Sequence, residues 1–201
     1  MSTVHAIALD DFGTEFGRHL AGGFAVEVMS GDDAWAGSAT WPPARVRVVA
    51  SADEALGLLE LVDELSFGWR QPWLPVTRFA PGLRVGPLIV PGRSACFGCF
   101  RRTAPSPAAS LPSPGLIEDV TRAVTLAAAP LEAALSTVGL AQEAGLVRRL
   151  DPDGTAVVHG PVEGVPGCPR CRPGERLLPE QAPGALPAAR LHPGQLPGEQ
   201  R

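Results

Sequence analysis

The apolar run TVHAIAL at residues 3–9 is short and carries β-branched residues, and it stops at Asp10 and Asp11. Beyond it Phe12, Phe16 and Leu20 recur at helical spacing until Gly22 and Gly23. This pattern predicts a strand and then a helix over 12–22, because residues three or four apart share one helix face whereas strand positions alternate. FAVEVMS at 24–30 predicts a second strand, followed by a loop rich in Gly, Asp and Trp over 31–44. RVRVVAS at 45–51 predicts a third, and Ser51 with Glu54 reads as a capping box opening a helix over 52–65. In that helix Leu56, Leu59 and Val62, flanked by Leu58 and Leu65, form a wide apolar stripe. Asp53, Glu60, Asp63 and Glu64 are assigned to its other faces.

After Gly68 the segment 72–92 (PWLPVTRFAPGLRVGPLIVPG) gives two or three strands broken by prolines. Proline donates no ladder hydrogen bond, so these are expected at a sheet edge or bulge. Residues 104–115 form a Pro/Ser-rich loop. Residues 116–145 are Ala-rich and helical, with a kink or split predicted at Pro130. Their alanines suit either core packing or a homodimer interface. DPDG at 151–154 marks a hairpin over 146–162. From Arg172 onward six prolines and four glycines fall in thirty residues, which predicts a disordered tail. The expected organisation is one α/β domain over 1–172 and a Pro/Gly-rich tail over 173–201.

A length of 201 residues with 45% hydrophobic content supports one ordinary core. No apolar run approaches the roughly 18 residues a membrane span needs. The N-terminus MSTVHAIALDDF lacks a basic region ahead of its apolar stretch, so it is no secretory signal and a cytoplasmic protein is expected. With a net charge of −4 and scattered arginines, nucleic acid is an unsuited partner. The chain contains no Lys, Asn or Tyr. Any mechanism that needs a lysine or an asparagine is thereby excluded.

The four cysteines stand as two pairs, Cys96 and Cys99 in CFGC and Cys168 and Cys171 in CPRC, with 68 residues between the pairs. In a reducing compartment this pattern favours a metal over disulfides. A two-residue gap lets a tight turn aim both sulfurs at one point, and two such turns supply a tetrahedral thiolate set for zinc at about 2.3 Å. Gly98, Gly167 and Pro169 are the turn formers. A thioredoxin-like redox pair and buried free thiols are the alternatives. The redox pair is disfavoured because Pro173 and Gly174 follow CPRC, where such a pair would open a helix. Four protein ligands leave no open position, so the zinc is read as structural. His5, His19, His159 and His192 have no Ser or Cys at a nucleophile–base spacing, and no catalytic residue is assigned. His159, near the second pair, is left outside the metal shell.

With RVRVVASADEALGLLELVDEL, QPWLPV, VGPLIVPGRSACFGCFRR and GVPGCPRC, the chain resembles the ThiF/MoeB-type ubiquitin-activating-like fold. More closely, it is similar to the ThiF-like cyclodehydratase partner proteins of thiazole/oxazole-modified peptide biosynthesis. The resemblance covers about residues 3–172. It implies a truncated, degenerate ThiF/Rossmann-like sheet with helices and one zinc held by Cys96, Cys99, Cys168 and Cys171. It also implies two partners, a precursor peptide and a YcaO-type cyclodehydratase that carries the ATP chemistry.

Active members of the wider fold hold ATP with a Gly-rich first turn and with Arg, Asn, Lys and Asp side chains. Here ALDDFGTEFG puts Asp10 and Asp11 in that turn, with Gly13 and Gly17 as a remnant of the fingerprint. Without Lys or Asn the usual phosphate clamp cannot be built, so a non-adenylating accessory chain is expected. Many relatives clasp the leader with an N-terminal winged-helix segment, whereas this sequence starts at the Rossmann-like strand, so leader binding is implied by analogy. Strand addition at a sheet edge is the physical mode to expect, with Trp35, Trp41, Trp69 and Trp73 as contact candidates. Arg101 and Arg102 either flank the zinc turn or grip an acidic leader. The rival readings are an active adenylating enzyme and a zinc-ribbon interaction module.

Overall fold

The computed structural model describes residues 3–79, 82–103, 115–150 and 155–172. Strand β1 (Val4–Ala8) leads into helix α1 (Asp11–Leu20), and β2 (Val26–Ser30) returns parallel to β1. A short helix α2 (Gly31–Trp35) and a 3-10 turn at Ser38–Thr40 precede β3 (Val46–Ser51), which pairs parallel on the other side of β1. Helix α3 (Leu56–Trp69) then carries the chain to β4 (Trp73–Phe79), parallel to β3. From there pairing is antiparallel through β5 (Gly82–Val85), β6 (Val147–Leu150) and β7 (Ala156–His159). Helices α4 (Phe97–Thr103), α5 (Leu116–Ser136) and α6 (Leu140–Glu143) lie between β5 and β6. The seven strands run in the order β2-β1-β3-β4-β5-β6-β7.

Helices cover both faces of the sheet. Val4, Val48, Leu74, Val76 and Val85 pack towards α1 and α5, whereas Ile7, Val49, Trp73 and Ile89 pack towards α3 and α4. Two covered faces explain why β1 and β3 are buried at every position rather than alternating. Helix α1 comes close enough that a Cβ at Gly13 would meet the Ala50 carbonyl oxygen, which fixes glycine there for packing.

Several expectations change. The loop at 31–44 contains α2, capped by Ser30 Oγ accepting from Asp33 N at 3.1 Å. The capping box does not form: Ser51 belongs to β3, α3 starts at Leu56, and Glu54 instead pairs with the buried Arg84. Strand β4 is interior rather than an edge. Pro75 is tolerated because it sits where the β4–β5 ladder ends, its carbonyl accepting from Gly86 N at 2.8 Å. Helix α5 is not split at Pro130, since Val120, Ala123, Ala127, Leu131 and Ala134 bury one continuous face on both sides of it. Ala123, Ala127, Ala133 and Ala134 are therefore used in the intramolecular core, whereas Ala129 is exposed. The antiparallel β6–β7 pair forms as expected, while DPDG, residues 104–114 and the tail at 173–201 lie outside the described residues. No described helix is long and apolar enough to cross a membrane.

His5 is fully buried in β1, and Arg47 Nε donates to its Nδ1 at 3.2 Å. Burial, aided by the Arg47 charge, lowers its pKa to about 4, against about 6.5 in an unfolded chain. Between these values the unfolded chain takes up a proton that the folded one refuses, so stability falls as pH drops from about 6.5 towards 4. A His5→Gln variant, which keeps an acceptor for Arg47, is expected to lose that part of the pH dependence. Urea midpoints at pH 7.0, 5.5 and 4.5 measure it, and parallel curves for the two proteins would refute the assignment.

Candidate metal centre

The two cysteine pairs sit in two turns. At the first, Cys99 N and Phe100 N both donate to the Cys96 carbonyl at 3.1 Å as α4 begins. At the second, Cys168 N donates to the Val165 carbonyl at 3.1 Å and Arg172 N to the Cys168 carbonyl at 2.9 Å. The turns bring Cys96 Sγ to 3.7 Å from Cys168 Sγ and Cys99 Sγ to 3.6 Å from Cys171 Sγ. All four sulfurs lie within 4.8 Å of one another. These separations exceed the disulfide length of about 2.05 Å. They match the edges, about 3.8 Å, of a tetrahedron with 2.3 Å metal–sulfur bonds. The donor set therefore fits a closed, four-coordinate soft metal ion.

The thiols do not ionise alike. Burial pushes the Cys96 thiol well above the ordinary range and Cys171 up to about 11. Burial also opposes ionisation of Cys168, but backbone N–H groups of Cys171 and Arg170 outweigh it and bring that thiol to about 6. Val165 N adds a hydrogen bond to Cys99 Sγ at 3.2 Å. One sulfur is thus primed as thiolate, and a coordinated cation would deprotonate the others.

What holds the two turns together is a residue that sequence reasoning assigned to a polar face. Asp63 is fully buried on α3. Its Oδ1 accepts from Trp73 Nε1 at 3.2 Å and from Phe97 N at 3.1 Å, and its Oδ2 accepts from Arg170 NH1 at 2.7 Å. Phe97 follows Cys96, and Arg170 lies between Cys168 and Cys171. A single carboxylate therefore ties both cysteine turns to the core strand β4 without touching sulfur. The available signal was its phase: Leu59, Val62, Asp63 and Ser66 fall at i, i+3, i+4 and i+7, and all four are buried.

The other candidates separate. Arg101 forms an exposed ion pair with Glu60 at 2.9 Å, and Arg102 lines a cavity of about 500 Å³ beside Cys96 and Cys168. His159 is exposed on β7 and is not among the clustered ligands. Trp73 and Trp41 are buried, whereas Trp35 and Trp69 are half exposed.

The chain matches no family model and no curated protein. Solved structures do match. A heterocyclase in complex with substrate and cofactor superposes with a TM-score of 0.62 at 17% identity over 85% of this chain and 25% of the other. The heterocyclase TruD gives 0.59 at 21% identity over 85% and 27%. MccB of E. coli gives 0.58 at 17% identity over 88% and 59%. The fold is ThiF-like. This chain spans about a quarter of each heterocyclase and about three fifths of MccB.

In this ThiF-like fold the turn after β1 is filled from within. Asp10 is the N-cap of α1, its Oδ1 accepting from Gly13 N at 2.9 Å and its Oδ2 from Ala52 N at 2.5 Å. Free N–H groups and a positive dipole make a helix start attractive to phosphate. Here a carboxylate already occupies that place.

Proposed function

We propose that this chain is a non-catalytic accessory protein of azole-forming peptide biosynthesis, binding a precursor peptide and presenting it to a YcaO-type cyclodehydratase. The observation that carries the reading is the four-thiol cluster assembled on a fold shared with two heterocyclases. Cys96, Cys99, Cys168 and Cys171 would hold one zinc ion, which would supply no chemistry beyond cross-linking the α4 turn to the 168–171 turn. Peptide binding draws support from the heterocyclase of the same fold, which binds a substrate. Asp10 supports the non-adenylating part, because its carboxylate opposes a polyphosphate at the α1 N-terminus.

Calorimetry with candidate precursor peptides encoded near its gene, and co-purification with a YcaO-type cyclodehydratase, test the reading directly. Micromolar or tighter binding to both is expected, with no pyrophosphate–ATP exchange in the presence of peptide. Exchange that depends on a peptide carboxylate would instead make the chain an adenylating enzyme.

A further inference from the structure

At the end of the sheet opposite Asp10, the starts of β1, β3 and β4 hold a guanidinium without a counter-ion. Arg47 is only 4% exposed, and among the described residues it has no carboxylate partner. Its Nε is used by His5, its NH2 reaches the Pro42 carbonyl at 3.4 Å, and its NH1 is buried with no hydrogen-bond partner. Its Cζ stands 5.3 Å from the Trp41 ring centre and 4.8 Å from that of Trp69. Two indoles offset part of the cost of burying a cation, but burying an unpaired charge costs more. Burial lowers the Arg47 pKa to about 10, the direction expected of a charge lacking its partner.

This guanidinium lines a shallow, open hollow of about 570 Å³ together with the exposed Arg45 and Arg70 and no acidic residue. Arg70 caps α3 at φ +53, a left-handed conformation that glycine adopts more cheaply. Pro42, Pro43 and Pro72 also line the pocket. They bring apolar surface and no backbone N–H, so the nest of amides that cradles phosphate is missing. One buried guanidinium with aromatic walls and an apolar rim suits a single carboxylate borne on an apolar body, gripped by paired N–H donors.

We propose that this pocket is a carboxylate-binding site lined by Arg47, taking an acidic residue of the bound peptide. Only the peptide source of the carboxylate rests on the function proposed above. The carboxylate reaches Arg47 NH1 when the Trp69 ring, 46% exposed, turns aside. Arg45 and Arg70 steer it inward.

Indole signals of the full chain report the test in two-dimensional NMR, with four probes: a blocked pentapeptide carrying one glutamate between apolar residues, its glutamine counterpart, benzoate, and inorganic phosphate. The glutamate peptide is expected to shift the Trp41 and Trp69 signals and to bind at least about tenfold more tightly than the glutamine peptide, a difference of about 1.4 kcal/mol. Arg47→Gln is expected to abolish that preference. Arg70→Gly relieves the strained cap, so it is expected to melt no lower than wild type while weakening the glutamate peptide about threefold. This second variant decides the matter if Arg47→Gln does not fold. Benzoate binding without peptide binding would support the carboxylate site and count against the peptide function alone. Equal affinity for the glutamate and glutamine peptides, phosphate binding better than either carboxylate, or no response to any probe would overturn the proposal.

Discussion

Replacing Cys96 and Cys168 by serine is expected to strip one zinc ion from each chain and to lower the melting temperature by about 10 °C or more. The size follows from where the ligands sit. Cys96 and Cys168 are 72 positions apart in sequence, so a metal held by them would close a long loop, and the described structure after β7 has no strand or helix of its own to hold the second turn. Structural zinc sites contribute apparent binding free energies of about 10–16 kcal/mol at neutral pH. For a chain of this length each kcal/mol moves the melting temperature by about 2–4 °C, so retaining even half of that energy suffices. Elemental analysis should give one zinc per wild-type chain and none for the double variant. Chelation of the wild type should reproduce the variant's melting curve, while His159→Ala leaves both quantities unchanged. Wild type that purifies without zinc from zinc-supplemented medium, yet melts at the same temperature with and without added metal, would reduce the cluster to buried thiols.

The four-cysteine cluster was legible in the sequence because each pair of cysteines is local: two residues between them favour a turn, and only the meeting of the two turns needs the fold. The α/β order of the first half was legible for a similar reason, since Phe12, Phe16 and Leu20 recur at helical spacing and the run at 46–51 is short and rich in β-branched valine. What escaped depends on partners distant along the chain. Glu54 looks like a capping residue until Arg84 arrives from β5 to take its carboxylate. Pro75 looks like an edge marker, but whether its missing N–H matters depends on which neighbour it faces. Arg47 is an ordinary alternating strand residue in sequence, and only packing places two indoles against it and, among the described residues, no carboxylate. Asp63 was misread because a carboxylate in a helix is solvent-facing by default, and its three donors come from residues 10, 34 and 107 positions away.

Asp63 gives the second large effect. Asp63→Ala is expected to cost about 3 kcal/mol of stability, since the buried Trp73 Nε1–H and Phe97 N–H lose their acceptor at about 1–3 kcal/mol each. It should also weaken zinc by about 10- to 100-fold, the range found when residues supporting a metal's ligands are removed. The two effects have separate origins. The first arises within the core, where Trp73 is fully buried; the second arises because Phe97 and Arg170 position the cysteines beside them. Arg170→Met tests that separation. Its removal leaves the fully buried Asp63 carboxylate without its cation and so costs stability in the metal-free protein too, but it keeps the Trp73 and Phe97 hydrogen bonds while freeing the 168–171 turn, and it should reproduce much of the loss in zinc affinity. Competition with a chromophoric chelator measures the affinity, and urea unfolding with and without zinc measures the stability that the metal adds. In both variants that increment should shrink. If Asp63→Ala instead lowers the metal-free and metal-loaded proteins by the same amount, and Arg170→Met leaves zinc affinity unchanged, Asp63 is a satisfied polar group of the core and the metal turns are positioned by the rest of α3 and α4.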